Sequence, residues 1–218
     1  RRAVTADKNM KEAWWNLSLA LLNNGDYEAG YRYYHNGFDL EFEHGPYKGR
    51  GKYLGNPELE WDGKKIVNYL IIWGEQGIGD EIMFSKFIKY LPQRIGNIEI
   101  RVQRKMVNIF SEMFQHDIRI KVAARHEYIG SYAHIPIGNL AKIYWQRYFE
   151  SEVNFSPTND TGLKVNFSKR MVGITWRGGI TAEAIENRSI DLDYFKKFFT
   201  LERSNCQILV LQYDATIE

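Results

Sequence analysis

Apolar positions along this chain follow one period, lose it, and then follow another, and those changes divide it. In the first forty residues Ala13, Leu17, Ala20 and Leu21 recur at the spacing of a helix face. Asn23-Asn24-Gly25-Asp26 interrupts them with turn residues, and Tyr27, Gly30, Tyr31 and Tyr34 begin a second amphipathic stretch. Residues 1–40 therefore read as a helical hairpin in which small residues let the helices approach and large ones fill the grooves. Over residues 41–64 the periodicity disappears among Gly45, Pro46, Gly49, Gly51, Gly55, Pro57 and Gly63. This segment is expected to be an irregular connector that wraps the following domain, and its basic cluster Lys48-Gly49-Arg50-Gly51-Lys52 reads as a solvated loop, with phosphate contact as the alternative.

From Lys65 the pattern becomes that of an α/β domain. Ile66 to Trp73 is an apolar run of the kind found where both faces of a parallel sheet are covered. Glycines follow it, then a predicted helix from Asp80 to Leu91 stopped by Pro92. Further strands are predicted at 98–102, 118–122 and 133–137, with helices over 106–114 and after Gly138. Strands alternating with helices in this way imply a Rossmann-like, doubly wound parallel sheet over residues 65–155. The turn-rich segment 156–168 reads as a linker. Residues 169–218 hold a partial second Rossmann-like domain: a strand from Arg170, a helix over 191–203 and a strand over 206–213.

Composition narrows the setting more than the function. The 218 residues are 44% hydrophobic and 26% charged, the profile of a globular protein. A net charge of +2 gives no global argument for nucleic acid, and no apolar run is long enough to cross a membrane. The single cysteine, Cys206, excludes an internal disulfide framework and fits a reducing, cytoplasmic compartment; beside Ile208-Leu209-Val210-Leu211 it reads as a buried structural thiol. The first residue is not Met, so the natural N-terminus is expected upstream.

Candidate chemistry concentrates in Gly74-Glu75-Gln76-Gly77-Ile78-Gly79-Asp80. Loops that follow strands of an open parallel sheet are where ligands bind, and helix-start amides there favour anions. Glu75, Gln76, Gly77 and Gly79 are the candidate substrate-binding residues, since Gly77 and Gly79 permit close backbone approach. The loop lacks the third glycine of a dinucleotide fingerprint, having Ile82 there, and lacks the Gly-Lys-Ser/Thr of a P-loop. Asp80 has two readings: an N-terminal helix cap, which the residue type alone favours, or a general base. Glu75 is the alternative base, or a solvated loop acid. Arg188 reads either as a diphosphate clamp or as half of a surface salt bridge. The five histidines show no metal-ligand spacing, and no Asp-x-Asp pair ends an apolar strand, so no metal is expected.

Ala13-Trp14-Trp15-Asn16-Leu17 followed by Gly25-Asp26-Tyr27-Glu28-Ala29-Gly30 resembles a tetratricopeptide repeat. Trp73-Gly74-Glu75-Gln76-Gly77-Ile78-Gly79-Asp80-Glu81-Ile82-Met83-Phe84, then Tyr90-Leu91-Pro92, resembles the tetratricopeptide-linked glycosyltransferases related to the heptosyltransferases. Val172-Gly173-Ile174-Thr175-Trp176-Arg177-Gly178-Gly179, Asn187-Arg188-Ser189-Ile190-Asp191-Leu192 and Val210-Leu211-Gln212 are similar to the same group. The resemblance implies a GT-B arrangement, two Rossmann-like domains with acceptor and nucleotide-sugar donor meeting between them. It implies Asp80 as catalytic base and Thr175, Trp176, Arg177, Arg188 and Ser189 as the donor-phosphate loop. It implies no cofactor beyond the donor and an acceptor that is a glycan, lipid-linked or protein hydroxyl; the hairpin reads as a packing pair of helices without a ligand, with a concave surface for a protein partner as the alternative. The family continues past the Leu-Gln strand through an Asp-Thr…His-Leu-Ala-Gly segment that nothing here matches, so an incomplete donor site is expected. The competing expectation is a non-catalytic protein-interaction module.

Overall fold

The apolar run after Lys65 becomes an inner strand of a parallel sheet, because its residues alternate between two faces that are both covered. The computed structural model describes residues 2–40, 49–147, 149, 170–176, 186–187, 189–191, 193–194 and 206–210. Strand β1 (Tyr69–Trp73) pairs in parallel with β2 (Asn97–Val102) on one side and β4 (Ala133–Pro136) on the other, and β2 pairs with β3 (Ile120–Ala124). The order is β3-β2-β1-β4. Leu70, Ile71, Ile72 and Trp73 are all essentially inaccessible. The fold is α/β with a four-stranded parallel sheet, compatible with a Rossmann-like fold. Its strand order reverses between β1 and β4, and that reversal opens a crevice beyond their carboxyl ends.

The helical segments cover this sheet. Helix α4 (Ile78–Ser85) follows β1, α5 (Val107–Met113) follows β2, and α6 (Leu140–Tyr144) follows β4. Upstream lie α1 (Arg2–Ala6), α2 (Lys11–Asn23) and α3 (Tyr27–Tyr33). The α2–α3 turn is closed by Asp26, whose carboxylate caps α3 by accepting from Ala29 N at 3.2 Å. The two helices meet at Gly30, where an added Cβ would lie 2.5 Å from Leu22, and the Ser18 hydroxyl donates to the Gly30 carbonyl at 2.8 Å. Trp15, Tyr31 and Tyr34 then join Leu70, Ile72, Phe84 and Phe87 in one buried core. Each such side chain contributes about 1.5–3 kcal/mol of burial, so hairpin and sheet are held as one apolar body.

The connector is less irregular than its glycines imply. Glu60 bridges to His134 beside β4, and the Trp61 amide donates to the His134 carbonyl at 2.8 Å. Trp61 itself is 2% exposed. The chain divides into two compact units, Arg1–Pro157 and Thr158–Glu218. In the second, β5 (Arg170–Ile174) pairs in parallel with β6 (Cys206–Val210). The predicted linker 156–168, the Cys206 thiol and nearly all of the predicted 191–203 helix lie outside what is described.

Candidate functional site

The loop after β1 opens on a cleft of about 590 Å³, lined among the described residues by Arg50, Lys52, Trp73, Glu75, Gln76 and Arg125 with their neighbours. Gln76 holds a left-handed conformation, φ 54°, which an Asn or Gly adopts more readily. It is fixed there from both sides: the Tyr34 hydroxyl donates to Gln76 Oε1 at 2.9 Å and the Gln103 amide donates to its carbonyl at 3.4 Å. The hairpin thus reaches into the loop after β1 through Tyr34.

Glu75 is not a solvated loop acid. It is 3% exposed, its Oε1 pairs with Arg50 Nη2, and it accepts from Gly138 N at 3.0 Å. This places a carboxylate across the strand-order reversal, between the ends of β1 and β4. Burial pushes the Glu75 carboxyl above the usual range, while the Arg50 guanidinium and the Gly138 amide pull against that rise. Arg50, expected in a solvated loop, is 2% exposed. Its guanidinium lies 4.3 Å from the Tyr34 ring centroid and 4.0 Å from that of Phe38, and Nη1 donates to Asn139 Oδ1 at 2.6 Å. Two aromatic faces, a carboxylate and an amide oxygen together compensate the desolvation of its charge. Gly138 leaves room for this pair, since a Cβ there would lie 2.4 Å from Glu75 Oε1 and the pair would have to shift.

On the other side of the loop, α4 begins at Ile78 rather than Asp80. Gly77 is the N-cap, and Asp80, at the third helical position, reaches back to accept from Gly77 N at 3.0 Å. The structure therefore gives Asp80 its capping role. It remains half-buried and close enough for its charge to push up both Glu75 and Tyr34. Gly77 and Gly79 are exposed, with open space where a Cβ would stand at Gly79. Glu81, next along, is fully buried, and both its oxygens accept from Gln103 N at 3.1 Å. Burial pushes its carboxyl to about 7, against the Gln103 amide and Arg125.

No family model, curated protein or solved structure matches the chain. The site is accordingly defined by its geometry alone. Of the residues expected in the second unit, Thr175 and Trp176 follow β5, and the Ile190 amide donates to the Trp176 carbonyl at 2.8 Å, bringing Ser189-Ile190 alongside. Arg177 and Arg188 lie outside the described residues. Among the described residues no group of acids, histidines and cysteines is placed to hold a metal ion. His134 is a packed residue, as its lack of ligand spacing suggested: Trp73 Nε1 donates to its Nδ1 at 3.2 Å and its Nε2 faces the Asn56 carbonyl at 2.9 Å. That pattern selects the neutral tautomer protonated on Nε2, and burial lowers its pKa. Sequence reasoning missed Arg50, Asn139 and Glu81. The glycines flanking Arg50, Gly49 and Gly51, are both at positive φ and turn the chain sharply there, but a glycine pair in the sequence does not tell that the arginine between them is buried.

Proposed function

We propose that the protein carrying this chain is a metal-independent, inverting glycosyltransferase of GT-B type, with the described sheet as its acceptor-side domain and the hairpin as a tetratricopeptide-like element. The observation that carries this reading is the position of Glu75-Gln76-Gly77-Ile78-Gly79-Asp80. It leaves the carboxyl end of β1 at the strand-order reversal, where Glu75 and Gln76 line a cleft large enough for a sugar-sized ligand, and Asp80 follows at the third position of α4 rather than in the cleft's lining. The motif resemblance supplies the reaction class. Asp80 takes the proton of the acceptor hydroxyl, the acceptor oxygen attacks the anomeric carbon opposite the nucleoside diphosphate, and the anomeric carbon–oxygen bond to the diphosphate breaks. The leaving group departs with the electron pair, its charge met by the donor-phosphate residues that the resemblance assigns, Arg177 and Arg188 together with Thr175, Trp176 and Ser189. Capping does not preclude the base role, since a carboxylate has two oxygens and only Oδ2 accepts from Gly77. A cytoplasmic setting fits the lone cysteine.

A second reading, a protein-interaction module without chemistry, is favoured by one observation: the Asp80 carboxylate already serves α4 as a cap. Asp80→Asn in the full-length protein separates the two. With nucleotide sugars as donors, release of nucleoside diphosphate is expected to fall by about 10²–10⁴-fold, the range for loss of a general base. Unchanged turnover removes Asp80 as the base, and a wild-type protein inert towards every donor removes the enzyme.

A further inference from the structure

Beneath the loop after β1 lies an acid with few donors for so complete a burial. Glu81, in the first turn of α4, is inaccessible to solvent. Among the described residues its two oxygens share one hydrogen-bond donor, Gln103 N, at 3.1 Å each. Gly74 covers it, since an added Cβ there would stand 2.2 Å from Glu81 Oε1. Three charged groups face it. Asp80 on its own helix and Glu75 in the loop oppose its ionisation, and Arg125, which follows β3, favours it. Arg125 Nη1 stands 3.8 Å from Glu81 Oε1, and it donates instead to the Gly74 carbonyl at 3.1 Å. A carboxylate so placed is readily neutralised, because losing the charge removes a desolvation cost and gives up only a weak attraction.

Arg125 carries that change outward. Its backbone is fixed, the Arg125 amide donating to the Val102 carbonyl at 2.6 Å, while its side chain lines the cleft and is one-third open. The guanidinium is therefore the part that can move. We propose that Glu81 is a proton-operated latch on Arg125: the carboxylate draws the guanidinium inward beneath the loop, and the neutral acid releases it towards the cleft. Burial pushes the Glu81 carboxyl to about 7, so the latch is closed above that pH and open below it. The positive charge presented to the cleft grows as pH falls, through an arginine that itself does not titrate. This device goes beyond the glycosyltransferase reading and holds without it.

NMR of the full chain, isotopically labelled and carrying His126→Gln so that His126 no longer lines the cleft, tests this between about pH 5.5 and about pH 8.5. The Gln103 backbone amide and the Arg125 Nε are expected to shift together, with one midpoint at about 7. Below that midpoint the heteronuclear NOE of Arg125 Nε is expected to fall as the guanidinium is released. Arg125→Ala is expected to raise the Gln103 midpoint by about one unit, because the lost cation favoured the charged form. Glu81→Gln is expected to abolish both transitions. Should Glu81→Gln fail to fold, the titration with Glu81 intact and Arg125→Ala decide alone. A Gln103 transition with an unchanged Arg125 NOE overturns the latch, since the acid would then titrate without moving the guanidinium. An unmoved midpoint in Arg125→Ala overturns the coupling, and so does the absence of any Gln103 transition. Transitions that survive Glu81→Gln belong to another group and overturn the assignment to Glu81. None of these outcomes depends on sugar transfer, so a protein inert towards every donor leaves the latch standing.

Discussion

Glu75 and Glu81 leave the same loop and are both buried, yet the protein compensates them by different means. Glu75 has an internal cation in contact, clamped between two aromatic rings, and a backbone amide at 3.0 Å. Glu81 has one backbone amide shared between its two oxygens, and its nearest cation, Arg125 Nη1, stands 3.8 Å away. The first arrangement holds a carboxylate in a fixed place between a cation and an amide. The second leaves a carboxyl that exchanges its proton near neutral pH and secures the end of β2 to the start of α4. Proximity along the chain therefore says little about what a buried acid does; its nearest donor does.

The contrast breaks most severely at Arg50. Arg50→Met leaves Glu75 buried without its cation, and a loss of about 3–5 kcal/mol in urea unfolding is expected. Adding Glu75→Leu is expected to recover much of it, because removing both charges also removes the desolvation cost. A double variant no better than the single one would mean that the pair is not what stabilises this corner. Gly138→Ala comes next. Its Cβ would sit 2.4 Å from Glu75 Oε1 and 2.8 Å from Arg50 Nη2, and overpacking of this kind costs about 1–3 kcal/mol, read from the same unfolding curves. Wild-type stability there would show that the pair yields easily. The smallest effect, and the one that isolates Glu81, is in pH dependence. Its folded-state pKa of about 7 lies above the ordinary value of 4.5, so between those values the folded state holds a proton that the unfolded state has lost. The contribution of this group to stability therefore falls as pH rises from about 4.5 to about 7 and then levels. Glu81→Gln is expected to flatten the difference between unfolding at about pH 5 and about pH 8, and an unaltered slope would remove Glu81 as its source.

Much of the scaffold was legible because it rests on local pattern. The apolar run ending at Trp73, the glycines behind it and the alternating strands and helices identified a parallel sheet and the strand-to-helix loop after β1. Boundaries shifted where a side chain competed with the backbone. The helix predicted from Asp80 starts at Ile78 because Asp80 reaches back to cap Gly77, and it ends at Ser85, whose hydroxyl donates to the Ile82 carbonyl at 2.7 Å. The strand predicted from Ile118 starts at Ile120, because Asp117 accepts from the Arg119 amide at 3.1 Å and holds a turn that leaves Ile118 98% exposed. The floor of the cleft was not legible. Nothing in Lys48-Gly49-Arg50-Gly51-Lys52 says which cation is buried, since that depends on Tyr34 and Phe38, Glu75, and Asn139 arriving from three other places in the chain.

That convergence makes the helical hairpin something other than a portable adaptor. It supplies both aromatic walls for the guanidinium, Tyr34 and Phe38, and through the Tyr34 hydroxyl a tether to Gln76, while the connector supplies the guanidinium itself. A chain begun at Lys65 to isolate the sheet would inherit the Glu75 carboxylate without the groups that make its burial tolerable. Recombination that exchanged the hairpin for another helical pair would have to carry the connector with it, so the unit that can be inherited or engineered intact runs from the first helices through Asn139.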